Sequence, residues 1–166
     1  MMDVRFGRME DAASLAKAIE NVENSGFMLF NPGERQLTEE SAKKVIEVLS
    51  KEPNAIIVAV ENEVVLGYIF VKGEQVTRVR HRASVAVVGV CDFARKRGIA
   101  QAMFEKVHQY AQEKGLHRLQ ISVIANNVAA VSLYEKMGYV REGLYKDSLF
   151  VDGTYIDELV LAKIFN

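Results

Sequence analysis

The residues with the clearest chemical potential lie in Val88-Gly89-Val90-Cys91-Asp92-Phe93-Ala94-Arg95-Lys96-Arg97-Gly98-Ile99-Ala100. An apolar strand ends there, a short basic turn follows, and a helix opens at a glycine. The first backbone N–H groups of a helix lack internal partners, and the macrodipole leaves partial positive charge at that end. Such a helix start is an anion site suited to a pyrophosphate. Gly98 lets a phosphate approach the backbone, and Arg95, Lys96 and Arg97 add cationic charge. Taken alone, the segment fits a solvated basic turn equally well. A dinucleotide-binding reading fits less well, because no G-x-G-x-x-G run is present.

Other reactive residue types carry less. Cys91 is the only cysteine, which excludes an internal disulfide and a multi-cysteine metal site. No adjacent histidine or glycine-elbow sequence would activate its thiol, so it reads as a small residue near a strand end. His108 and His117 have no matching cysteine or carboxylate cluster and do not read as a metal site. Arg78, Arg80, His81 and Arg82 form a local basic run, but Glu74 lies just upstream and no aromatics are interleaved. A solvated strand end describes that run better than a nucleic-acid patch.

The elements that must position these residues follow from composition and periodicity. The chain has 166 residues, 49% hydrophobic and 26% charged, with a formal net charge of -1. That length suits one domain over 1–166, and nothing in the charge balance argues for a nucleic-acid or anionic-membrane partner, so neither is expected. Asp3, Arg5, Arg8 and Glu10 break up any apolar leader, and no apolar run is long enough to span a bilayer, so a cytoplasmic location is expected. Val4 to Arg8 reads as a strand, and Ala12, Leu15, Ile19 and Val22 recur at helical spacing. Asn24 to Leu37 is turn-rich, and Thr38 caps a second helix carrying Ala42, Val45, Ile46 and Leu49. Ala55 to Val60 and Val64 to Val71 form a hairpin. Ala83 to Val90, apolar on both faces, is expected to be a central strand. A helix from Gly98 to Lys114, a strand over Leu119 to Ile124 and a helix over Val128 to Met137 follow. Tyr139 to Val151 and Thr154 to Ile164 pair through Asp152-Gly153. This order predicts an α/β architecture, a mixed sheet covered by helices.

A second segment, Asn127-Val128-Ala129-Ala130-Val131-Ser132-Leu133-Tyr134-Glu135-Lys136-Met137-Gly138-Tyr139, gives the first its context. Arg95-x-x-Gly98-x-Ala100 resembles the pyrophosphate loop [QR]-x-x-G-x-[GA] of the GNAT acetyltransferase superfamily. The second segment resembles that family's N-x-x-A-x-x-L-Y-x-x-x-G-[FY] signature. Both occur in order, with a long helix and a strand between, over residues 83 to 140. The resemblance implies an α+β mixed GNAT-like fold, a twisted sheet of about seven strands splayed in the middle and covered by about four helices. It implies an N-acetyltransferase passing the acetyl group of acetyl-CoA to a primary amine by direct attack in a ternary complex, without a metal. A non-catalytic acyl-CoA-binding sensor or scaffold is the alternative.

The resemblance also assigns roles. Pantetheine would bond to the backbone of Val88, Gly89 and Val90, and the pyrophosphate would rest on amides of Arg95, Lys96, Arg97, Gly98, Ile99 and Ala100. Asn127 would approach the pantetheine. Tyr134 would protonate the departing thiolate, for which a hydroxyl with pKa near ~10 suits neutral pH. Some relatives carry a glutamate base where Ser122 stands here. His81, Asp92, Asp147 or an ordered water are substitutes, and none is singled out. On the acceptor side lie Glu20, Glu23, Glu34 and Arg35, with Phe27, Met28, Leu29 and Phe30. The last hairpin adds Tyr145, Asp147, Asp152, Tyr155 and Asp157. Carboxylates there favour a cationic amine: a polyamine, an amino acid, an aminoglycoside or a protein N-terminus. Phe27 to Phe30 fit core packing or a homodimer face equally.

Overall fold

The structure, a computed structural model, describes all residues from 1 to 166. Its strands are β1 (Asp3–Phe6), β2 (Ala55–Glu61), β3 (Val64–Gly73), β4 (Arg82–Val90), β5 (Arg118–Ile124), β6 (Val140–Val151) and β7 (Thr154–Ile164). Its helices are α1 (Ala12–Glu23), α2 (Glu39–Leu49), α3 (Ile99–Glu113) and α4 (Val128–Lys136). The strands form one seven-stranded sheet in the order β1-β2-β3-β4-β5-β7-β6. Only β4 and β5 run parallel; every other neighbouring pair is antiparallel. The parallel pair needs a crossover, and α3 supplies it.

Local signals place these elements. Thr38 accepts from the Ser41 amide at 3.1 Å while the Ser41 hydroxyl accepts from the Thr38 amide at 3.0 Å, so both orphan donors are satisfied at the start of α2. Asp152 and Gly153 both take positive φ, the geometry of a tight two-residue hairpin turn. Gly98 caps α3 from the left-handed region at φ 74° and ψ 17°, so the helix proper starts one residue later than the glycine. The buried faces of α1, α2 and α3 join the sheet in one continuous hydrophobic cluster. No helix is long and apolar enough to cross a membrane.

The two faces of the sheet are told apart by side-chain alternation. A Cβ on Gly67 of β3 would meet Met103 and Ile99 of α3. Tyr68, the next residue, therefore points to the opposite face, where it packs with Phe70. At the other end of the sheet, the Lys163 ammonium donates to the Met137 carbonyl at the end of α4, which places Lys163, Leu161 and Leu159 on the α4 side. Tyr134 of α4 packs edge-on against Phe104 of α3, so these two helices share a face.

The sheet is splayed at its centre. β4 and β5 pair only at Arg82 with Arg118, Ala83 with Leu119 and Ser84 with Gln120. Beyond Ser84 the strands separate, and β4 carries a bulge at Ala86, where Phe70 pairs with Val87 but Val71 with Val85. β4 is the central strand, as its apolar pattern predicts, fourth of the seven. It is not fully buried, however: Ala86 is exposed and Val87 and Val88 are half-buried, because their apolar side chains line an open cleft.

Candidate active site at the splay of the sheet

Where β4 and β5 part, the backbone edge of β4 from Val85 to Val90 has no partner strand on that side. Unpaired edge amides and carbonyls are obligatory hydrogen-bonding groups, ready for an extended ligand. Gly89 is required here by its neighbour: a Cβ would lie 2.7 Å from the ring of fully buried Tyr68. After β4, a single 3-10 turn leads into Arg95, Lys96, Arg97 and Gly98, all exposed. None of the backbone N–H groups from Arg95 to Gln101 donates to an acceptor in the protein. Lys96 and Gly98 both take positive φ, which turns successive amides toward a common concavity. Arg97 pairs with Glu61 at 2.9 Å, whereas Arg95 and Lys96 have no carboxylate partner. Unpartnered amides beside two cations without carboxylate partners are an arrangement that can accept an anion.

The cleft beside it has a volume of about 240 Å³ and is reached from both faces of the sheet. From one face come Asn127 and Tyr134. Asn127 is the N-cap of α4, its Oδ1 accepting from the Ala130 amide at 3.3 Å, which leaves its side-chain NH₂ without an acceptor in the protein. Tyr134 is only 6% exposed, and burial raises its pKa above the ordinary tyrosine value. Its side chain lines the cleft, and its hydroxyl has no hydrogen-bond partner in the protein. A protonated hydroxyl without a partner can donate a proton to a group bound beside it.

From the other face come Ile19 and Glu23 of α1 and Phe27, Met28, Leu29 and Phe30 of the following loop. Arg35 returns over this loop, stacked 4.0 Å above the Phe30 ring, and grips Glu23 with both Nη2 (2.6 Å) and Nε (3.1 Å). Glu23 is buried, and its charge is therefore met by a two-pronged partner. Glu158 of β7 also lines the cleft, together with Leu149 of β6.

The chain also matches known proteins. The model of the Acetyltransferase (GNAT) family matches residues 17–139. The chain belongs to the GNAT acetyltransferase family. Among its relatives, L-amino acid N-acetyltransferase AaaT of Escherichia coli K12 is 26% identical over 112 residues, covering 66% of this chain and 67% of the relative. Mycothiol acetyltransferase of Renibacterium salmoninarum is 28% identical over 121 residues, and this chain spans 36% of that longer protein. A crystal structure of a GNAT-family acetyltransferase from Streptococcus pneumoniae superposes with a TM-score of 0.91 at 25% identity, covering 99% of this chain and all of that one. A phosphinothricin acetyltransferase from Sinorhizobium meliloti in complex with acetyl-CoA shares the fold at a TM-score of 0.87 and 16% identity, covering 99% and 89% of the two chains.

Within this GNAT frame, the sequence-based candidates separate. Val88, Asn127, Tyr134, Glu23, Arg35 and Phe27 to Phe30 do meet at the cleft. None of the proposed substitutes for a base does. Asp92 is tied to α1, exchanging two 2.9 Å hydrogen bonds with Asn21. His81 lies at the closed end of the β4–β5 pair, its carbonyl accepting from His117 and Arg118. Asp147 sits in the β6 bulge, its amide donating to Asp157. Glu20, Glu34, Tyr145, Asp152, Tyr155 and Asp157 also fall outside the cleft lining. His108 is engaged with Tyr139 at 3.0 Å, and burial lowers its pKa to about 4. Cys91 is 1% exposed, and burial, then the neighbouring Asp92, pushes its thiol up to about 11. Glu158 is the cleft residue that sequence reasoning passed over. Its signal was a carboxylate interrupting the alternating apolar run Ile156, Val160, Ala162.

Proposed function

We propose that this chain is an acetyl-CoA-dependent N-acetyltransferase acting on a primary amine by direct transfer. The carrying observation is the run of unpartnered amides from Arg95 to Gln101 at the mouth of the β4–β5 gap. The pyrophosphate rests in that cradle, with Arg95 and Lys96 adding charge. The pantetheine arm follows the free edge of β4 at Val88, Gly89 and Val90, and Asn127 offers its NH₂ group from across the gap. The thioester then lies beside Tyr134, whose hydroxyl protonates the departing thiolate. An amine enters from the α1 face, between Phe27 to Phe30 and β7.

Relatives are named for amino acids, mycothiol and, in Vibrio cholerae, spermidine. The cleft favours an acceptor with one cationic amine on an apolar body. Of its two carboxylates, Glu23 is already neutralised by Arg35, which leaves a polycation a single unpaired site. Acetyl-CoA should raise the melting temperature, since a ligand at ~100 times its Kd adds about 2.7 kcal/mol. Amine-dependent release of free CoA then separates an enzyme from a sensor. A stabilised protein that releases no CoA with any primary amine tested would make it a binding module.

A further inference from the structure

We propose that Glu158 binds the acceptor's ammonium and takes its proton, an assignment that rests on the transfer reaction above. Among the cleft's carboxylates it is the one with no cationic partner; its Oε1 accepts only from the Ser148 hydroxyl, at 2.5 Å. The β6 bulge between Tyr145 and Leu149 brings Ser148 to that position, so the carboxylate is oriented without being neutralised. Its placement follows from register. Glu158 pairs with Ile124, and Val160 with Ser122, on adjacent antiparallel strands. The Ala125 amide donates to the Asp157 carbonyl at 2.9 Å, which fixes β7 against the turn that carries Asn127.

Alternation then decides which side of the gap Glu158 serves. Lys163, Leu161 and Leu159 face α4, so Glu158 faces the side of Tyr68, Phe70 and the Phe27–Phe30 loop. Tyr134 reaches the same cleft from the α3–α4 side. The two groups thus flank the place where the sheet opens. One stands where an amine arrives, the other beside the leaving sulfur. The ammonium gives one proton to the Glu158 carboxylate, and the freed lone pair forms the N–C bond to the acetyl carbonyl carbon. The C–S bond breaks with its electron pair on sulfur, which takes the Tyr134 proton. The second proton shed by nitrogen reloads Tyr134, and Glu158 releases its own to solvent.

The test uses single-turnover acetyl transfer with two amines of one shape, phenethylamine and β,β-difluorophenethylamine. The fluorines make the second amine weakly basic, so it arrives already neutral. Glu158→Gln should lose ~10²–10⁴-fold in transfer to phenethylamine and less than about tenfold with the difluoro analogue. Glu20→Gln, on the exposed side of α1, should lose neither. Equal losses for both amines, in a protein with the natural melting temperature, would assign Glu158 a structural role and overturn the proposal; so would no loss. If Glu158→Gln fails to fold, Glu158→Asp carries the same comparison. Calorimetric binding of phenethylammonium to the CoA-saturated protein keeps the two claims apart. Binding weakened at least about tenfold by Glu158→Gln, without turnover, supports the ammonium site while refuting acetyl transfer. Absent binding and absent turnover in the natural protein would overturn the assignment.

Discussion

Gly98 makes two demands of the chain that substitution can separate. Its φ of 74° lies in the left-handed region, and a Cβ there would meet nothing within 4 Å. The cost of a side chain in the ligand-free protein is therefore conformational alone. For an ordinary L-residue that is about 1–2 kcal/mol, with β-branched valine at the upper end and asparagine, which tolerates this region, below it. In a chain of this length each kcal/mol moves the melting temperature by about 2–4 °C. Gly98→Asn should thus melt within about 2 °C of the natural protein, and Gly98→Val about 4–8 °C lower. Acetyl-CoA affinity should follow a different order. Either side chain projects from the residue at the centre of the unpartnered amides, so both variants should bind at least about tenfold more weakly. Thermal melts with and without acetyl-CoA, plus calorimetric titration, measure both effects. A valine variant of natural stability would refute the left-handed cap. An asparagine variant with natural affinity would refute close approach of the pyrophosphate at Gly98.

Tyr134→Phe keeps the ring packed on Phe104 and should leave stability nearly unchanged, while single-turnover transfer falls ~10²–10⁴-fold. The natural protein should also lose activity only above the ordinary tyrosine range, because burial raises this pKa, and the variant should lack that limb. Cys91→Ala should change transfer by no more than a few fold, since a buried thiol raised to about 11 is a poor nucleophile; label trapped on Cys91 would reverse this. His108 supplies a stability prediction. Above its unfolded value near ~6.5 both folded and unfolded chains carry it neutral; below that the unfolded chain takes up a proton, and the folded chain does not until about 4. Stability should fall through that window by about 2 kcal/mol on this account, allowing for partial exposure, and urea unfolding of His108→Gln should show a shallower loss.

Much of the fold was legible because the elements announce themselves locally. Thr38 with Ser41, Asp152-Gly153 and the α3 stripe of Met103 and Val107 each fix an element through short-range geometry. The unpartnered amides of the Arg95–Gln101 loop were legible for the same reason, since strand, basic turn and helix start are contiguous. The splay also met expectation, but through the resemblance, because nothing in β4 alone says where it leaves β5. The apolar pattern of β4 does place it at the centre of the sheet, but it carries no sign that Val85 to Val88 line a cleft, because that depends on where β5 turns away. Glu158 was illegible because its position depends on β7 pairing in register with β5, a contact between strands separated by α4 and β6. Of the carboxylates that composition offered, Asp92 is engaged with Asn21 and Asp157 with the Asp147 amide, while Asp147 lies in the β6 bulge outside the cleft.

The central claim is tested most directly by following the acetyl group itself. With acetyl-CoA carrying a ¹³C-labelled acetyl group and phenethylamine as acceptor, mass spectrometry should find the label on the amine nitrogen. One N-acetylated product should appear per CoA released, with no label on the protein. Labelled acetyl-CoA left intact in the presence of a bound amine, or label accumulating on a protein side chain instead, would contradict direct transfer.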